Sequence, residues 1–258
     1  MPRTHTNDET GQKITSMHTL FTALKQDTLD RHTTLEETPP FSLFHNLSEF
    51  NTSTYNDVLS VMSVFHSITS SHVSKALNET PSLNRLAGML NTDEVSAALH
   101  RDTNALHCNF AESFDTDRGV DTEKSVETDI IIETDMSVET QAQTSQNLDS
   151  QTVNALENQL SFRGQNSAAI AAMYVWLGSS MGANMISRRL EKLNNDIPTA
   201  YYSAMAGCAK AWVPFKQTVE HILAELKLDN DKGIRDIVED ANSWFSFLIS
   251  LGKAQTGK

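Results

Sequence analysis

The sequence predicts an all-α fold in a single domain, and three observations carry the prediction. Hydrophobic residues recur at spacings of three and four along most of the chain. Period-2 alternation is nowhere long enough for a sheet outside one acidic segment. The 258 residues are 39% hydrophobic with only 6 Pro and 10 Gly, which suits one globular core.

The first helix is expected from near Ser16, with Met17, Leu20, Phe21, Leu24, Thr28, His32 and Leu35 on one face. That face is apolar except at Thr28 and His32. Thr38-Pro39-Pro40 ends it, because proline cannot continue the hydrogen-bond ladder. A second helix opens at Ser53 or Thr54 and turns Tyr55, Val58, Leu59, Met62 and Phe65 inward. Shorter helices fit Leu83–Leu90 and Asp93–Cys108. Long ones follow at Ala168–Leu193, Ala200–Leu228 and Lys232–Leu251. The last places Ile234, Ile237, Val238, Ala241, Phe245 and Leu248 on one stripe.

Residues 1–14 read as a disordered tail and 15–252 as the helical domain. Asp115 to Gln151 reads as an acidic low-complexity insert within it. The insert carries ten acids against Arg118 and Lys124 and no aromatic residue. A weak six-residue repeat runs through it, from Val120-Asp121-Thr122 to Val138-Glu139-Thr140. Four charged, glycine-free copies are too few to stack as a β-helix, so a loop grown by duplication is expected.

Net charge is −13, which disfavours nucleic acid and anionic membrane as partners. Cys108 and Cys208 read as two buried thiols in a reducing cytoplasm. Met1 to Lys13 has no apolar core of a signal peptide, so a cytoplasmic location is expected. Gly164 to Ser187 contains no charged residue, but Gln165, Asn166, Ser179, Ser180 and Asn184 dilute it. A buried helix is expected there rather than a membrane span.

Of the nine histidines, none follows a Glu or Asp by three residues, so the Glu-x-x-His pairs of di-iron bundles are missing. Zinc-type cysteine pairs, phosphate-binding glycine loops and the Gly-x-Ser-x-Gly turn are missing too. Single-histidine chemistry remains, for which haem iron is the natural partner. His32 is the candidate ligand. Glu36 follows one turn later, placed to accept the second ring N–H, and Lys25 precedes by two turns, placed to meet a propionate. Local pattern alone favours a core histidine over a ligand.

A second candidate stretch is Tyr174-Val175-Trp176-Leu177-Gly178-Ser179-Ser180-Met181-Gly182-Ala183. Each mid-helix glycine costs about 1 kcal/mol relative to alanine, so something compensates. Gly178 and Gly182 share a face with Ala171, Tyr174 and Ile186. Either a neighbouring helix or a flat ligand approaches the backbone there.

The run Lys25-Gln26-Asp27-Thr28-Leu29-Asp30-Arg31-His32-Thr33-Thr34-Leu35-Glu36 resembles the proximal-helix signature of haem oxygenases. Tyr174 to Ile186 resembles that family's distal helix, in the form found in bacterial, phytochrome-associated members. Phe215-Lys216 and Ile237 to Phe245 are similar to its C-terminal helices. The resemblance covers roughly 15–110 and 155–250, and it reverses the preference at His32.

The resemblance implies a helical bundle holding haem between the two helices, with His32 as axial iron ligand and Glu36 supporting it. It implies that haem is cofactor and substrate, opened with O2 and reducing equivalents to biliverdin, carbon monoxide and ferrous iron. Lys25 and Lys216 are then expected at the propionates, and Tyr174 and Phe245 against the haem. Gly178, Gly182 and Ser179 are expected to shape the distal pocket and its proton supply. The implied partners are an electron donor such as ferredoxin or a flavin reductase, and a phytochrome receiving biliverdin.

Three positions depart from the family pattern. Ser179 stands where many members carry Asp, Ala183 where a second glycine is common, and Val175 where animal members carry Arg. They keep a non-catalytic haem carrier or sensor of the same fold in play. Two further readings are a haem-free helical enzyme, with Cys208 as the only obvious nucleophile, and a plain helical interaction protein with a structural His32.

Overall fold

The computed structural model describes residues 17–46, 48–115, 148–193 and 197–257. Among them the chain is all-α, with no strand. The expected tail at 1–14 and residues 116–147 of the expected insert lie outside the described residues.

Helix α1 (Met17–Asp27) and helix α2 (Leu29–Glu36) together occupy the first predicted helix. The ladder runs on through Thr28, whose N–H donates to the Leu24 carbonyl and whose carbonyl accepts from His32 N–H. The Thr28 hydroxyl also donates to Leu24 O at 2.6 Å, a side-chain bond that bends helices. One periodic pattern therefore yields two segments. α2 ends one residue before Glu37, ahead of the Pro39-Pro40 turn. That turn packs on the last helix so closely that a Cβ at Gly252 would sit 2.7 Å from the Pro39 carbonyl.

Helix α3 (Thr52–Glu79) is capped by Asn51, whose side chain accepts from Thr54 N–H at 2.9 Å. The cap thus lies a little earlier than Ser53 or Thr54, and the five predicted inward residues are all buried. A 3-10 turn, Pro81–Leu86, replaces the helix expected over Leu83–Leu90, because Gly88 and Asn91 adopt positive φ and end any helical run. Helix α4 (Thr92–Asp115) follows.

Helix α5 (Ser150–Glu157) begins inside the stretch assigned to the insert, with Asp149 accepting from Thr152 N–H at 2.8 Å as its cap. Leu148 is buried beside it, so ordered structure resumes before Gln151. Helix α6 (Gln165–Glu191) matches the long apolar segment. It is long and apolar enough to cross a membrane by length and composition, and it packs against α3 and the helices that follow.

Where one helix is expected over Ala200–Leu228 there are two, α7 (Ala200–Cys208) and α8 (Trp212–Ile222), joined by a 3-10 turn at Ala209–Ala211. Pro214 lies in the first turn of α8; its missing N–H and its ring clash with the preceding turn bar a continuous ladder. Helix α9 (Asp231–Thr256) closes the bundle, capped by Asn230.

α6 and α9 form the centre. The Trp244 indole N–H donates to the Ala168 carbonyl at 3.0 Å, fastening one to the other. α9 also carries α1, α2, α3 and α5. Cys208 is buried as expected, whereas Cys108 is exposed on α4, and both are free thiols.

Candidate functional site

Helix α2 contains no buried residue. The His32 side chain is 52% exposed and Glu36 53%, which removes the core-histidine reading. His32 Nδ1 stands 3.6 Å from Glu36 Oε1, ion-pair range but long for a hydrogen bond. The His32 ring meets Phe245 of α9 edge to face, with centroids 5.8 Å apart and planes at 77°. Phe245 is itself buried, so it holds one side of the imidazole against the bundle. The ring therefore turns one nitrogen to a carboxylate, and no described residue pairs with the other.

The second candidate stretch lies on α6. At 100° per residue, Tyr174, Gly178, Met181, Gly182, Met185 and Arg189 fall within an arc of roughly 100°. A Cβ added at Gly178 or at Gly182 would meet nothing within 4 Å. Close helix packing therefore does not explain these glycines. Met181 and Met185 on the same stripe are 56% and 54% exposed, unusual for large apolar side chains on a largely buried helix.

Two contacts join α6 to the N-terminal segment. At one end the Tyr174 phenol interacts with the Thr28 side chain at the α1–α2 junction; burial raises the phenol's pKa and Thr28 opposes the rise. At the other, Arg189 Nη1 reaches the Phe44 carbonyl just beyond α2, at 3.5 Å. α2 itself packs on α9. His32 lies one turn past Thr28 in the chain, and Gly178 one turn past Tyr174.

An aromatic cluster closes the first end. Phe21 of α1 lies 5.9 Å from Phe215 and 6.3 Å from Trp212, and Tyr174 lies 5.7 Å from Trp212. The Lys216 ammonium sits 5.7 Å from the Trp212 ring centroid and 5.9 Å from that of Phe21. Lys25 lies one turn after Phe21 on α1 and is exposed, and Lys216 is half-buried. Ser179 is exposed, about 100° around α6 from Gly178, and its hydroxyl donates to the Trp176 carbonyl at 2.7 Å.

Sequence reasoning missed the Phe21 and Trp212 contact, the exposed Met181 and Met185, and the Arg189 contact to Phe44. It also missed the buried His66, whose Nε2 lies 2.9 Å from the Tyr201 hydroxyl. Desolvation pushes the His66 pKa down to about 3. Its position, four after Met62 and seven after Leu59 on the buried stripe of α3, was the available signal. Nearby, buried Asp102 accepts from the Tyr55 hydroxyl at 2.7 Å and from the N–H groups of Ala200 and Tyr201 at 3.0 and 2.9 Å, capping α7 from a distance. A polar cavity of about 450 Å³, lined by Arg31, Arg163, Glu239, Asp240 and Asn242, lies behind α2, with His32 outside its lining.

Comparison with protein-family models, with curated proteins and with solved structures finds no match for the chain.

Proposed function

We propose that the chain binds haem between α2 and α6 and opens it oxidatively to biliverdin, carbon monoxide and ferrous iron. One observation carries the reading: the glycines Gly178 and Gly182 have missing side chains that no neighbour fills, on the helix that Tyr174 joins to Thr28, one turn before a half-exposed, carboxylate-paired histidine. A flat ligand accounts for both features together, and the donor set suits iron, which one neutral imidazole can hold.

The chain's own residues then divide the work. Glu36, its carboxylate 3.6 Å from Nδ1, favours the tautomer that leaves Nε2 to coordinate, and the Phe245 edge orients the ring. The glycine face admits a macrocycle against helix backbone. Lys25 and Lys216 meet its carboxylates at the aromatic end, by charge-assisted hydrogen bonds. Phe21, Trp212 and Phe215 keep that end apolar. Ser179 lies beside the cleft as a hydroxyl able to accept a hydrogen bond while it donates to Trp176. Bound haem supplies the oxygen chemistry itself, and the protein supplies orientation and water exclusion.

The proposal includes O2, a ferredoxin or flavin-reductase electron donor, a cytoplasmic setting and a phytochrome as biliverdin acceptor. A second reading, a haem carrier or sensor, is favoured by the Ser179 hydroxyl being turned back onto its own helix. Haem titration followed by chemical or ferredoxin-linked reduction in air separates them. The proposal predicts a stoichiometric Soret band that decays into a biliverdin band. A stable Soret band contradicts turnover, and no band contradicts haem binding.

A further inference from the structure

A cavity of about 360 Å³ lies between α3 and α4, with Trp176 of α6 in its wall. The two helices run antiparallel: Tyr55 meets Asp102 at one level, and the cavity lies at the next, between Ser63–Ser70 and Thr92–His100. Residues three and four apart share a helix face, which brings Ser63, Ser67 and Ser70 to the α3 side and Thr92, Ser96 and His100 to the α4 side. These rim residues are exposed or half-buried, whereas His66, Trp176 and Leu99 in the same lining are buried. The cavity therefore has a polar mouth and a closed floor.

We infer that this cavity binds a small uncharged polyol of the monosaccharide class, independently of any haem. Three observations select that chemistry. First, the floor holds a polar group without a partner. His66 is 5% exposed; its Nε2 lies 2.9 Å from the Tyr201 hydroxyl, and its Nδ1 meets no hydrogen-bonding atom among the described residues. The buried Tyr201 phenol has no other described acceptor for its proton, so it donates to Nε2. Desolvation keeps the ring neutral, so the imidazole carries its own proton on Nδ1. That N–H is a buried donor, and a ligand oxygen would satisfy it.

Second, the hydroxyls of the lining are available. Thr69, on the buried face of α3, spends its hydroxyl on the Phe65 carbonyl, and Ser180 spends its own on Leu177. Ser63, Ser67, Ser70 and Ser96 make no such bond among the described residues. Each can donate and accept, which matches a ligand that does both. Third, the lining contains no Lys or Arg and one carboxylate, Asp93. An anionic ligand would meet Asp93 with no counter-charge, and a polyamine would bring His66 no acceptor. A polyol offers oxygens to His66 and hydroxyl protons to Asp93, while its C–H groups suit Trp176 and Leu99. The volume falls within the range of about 300–1,000 Å³ typical of small-molecule sites.

The test uses the full-length protein with isotope-labelled histidine, followed by nitrogen–proton correlation spectra during titration with D-glucose, myo-inositol, spermidine or inorganic phosphate. The His66 signals are those absent from His66→Phe and flat between about pH 5 and 8. The expected result is a proton on Nδ1 of His66 and a saturable shift of its signals with glucose or inositol, with the His32 signals unmoved. Ser67→Ala and Ser96→Ala, both at exposed positions, should each weaken that binding about 3- to 10-fold. Matching far-ultraviolet circular dichroism checks that the serine variants fold. A His66 proton found on Nε2 overturns the donor assignment and the proposal with it. Shifts produced by spermidine or phosphate but by neither polyol overturn the ligand class. No shift with any of the four, or unchanged polyol affinity in both serine variants, overturns the site. None of these outcomes bears on haem binding, which the Soret titration reads separately.

Discussion

Two histidines, His66 on α3 and His32 on α2, sit in opposite surroundings. On the inner face of α6 Trp176 packs on His66, ring centroids 3.9 Å apart, and buried His66 joins Tyr201. On the outer face of α6 Gly178 and Gly182 look into open space, and His32 of α2 is half-exposed with Glu36 beside it. The same residue type serves packing in one place and is available as a ligand in the other. What separates them is burial: desolvation lowers the pKa of His66, whereas the His32 side chain is half-exposed.

This contrast makes the inner face the structural one, and removing its polar anchor should do the most damage. Asp102→Ala strands the Tyr55 hydroxyl and two N–H groups at the start of α7, at a predicted loss of about 3 kcal/mol or more in denaturant unfolding. A loss below about 1 kcal/mol would mean that this network is not what secures α7.

The inner histidine also gives the fold an acid-sensitive limb. A histidine whose folded pKa of about 3 lies below its ordinary 6.5 takes up its proton more readily in the unfolded chain. Its contribution is therefore complete above about pH 6.5 and declines as pH falls, levelling off near pH 3. The slope approaches about 1.4 kcal/mol per pH unit for the one proton. His66→Phe should flatten that limb in a series of denaturation curves from pH 7 to pH 4, and His32→Ala should leave it intact. Equal slopes in wild type and His66→Phe would reassign the acid limb to other groups.

The outer face should behave in the opposite sense. Because an added Cβ meets nothing, Gly178→Ala and Gly182→Ala should each raise stability by about 1 kcal/mol through helix propensity, while weakening haem binding. A destabilised alanine variant would show that the cleft is less open than its geometry.

The helical architecture was legible from periodicity alone, including the inward residues of α3 and α9. Its interruptions were harder to read. Thr28 bends a continuous pattern through a side-chain bond that leaves the spacing untouched, and Pro214 splits α7 from α8 although the apolar pattern runs on. Asp149 caps α5 inside a run whose composition resembles the acidic insert.

In the site, Gly178, Gly182 and His32 were visible as anomalies of residue type against their helical faces. Whether a helix or a ligand filled the glycine face was not, because that depends on how far a distant segment stands off. The two ties that set this distance, Thr28–Tyr174 and Phe44–Arg189, join residues far apart in sequence. His66 escaped notice because its neighbours form an ordinary core stripe.

The most direct test of the central claim is a haem titration of His32→Ala beside His66→Phe and the wild type, followed by visible absorption. The account predicts that His32→Ala loses the axial-nitrogen Soret spectrum while its unfolding midpoint stays near wild type, since an exposed side chain contributes within about 0.5 kcal/mol. His66→Phe should retain the spectrum. An unchanged Soret spectrum in His32→Ala would contradict the assignment of the cleft as a haem site held by His32.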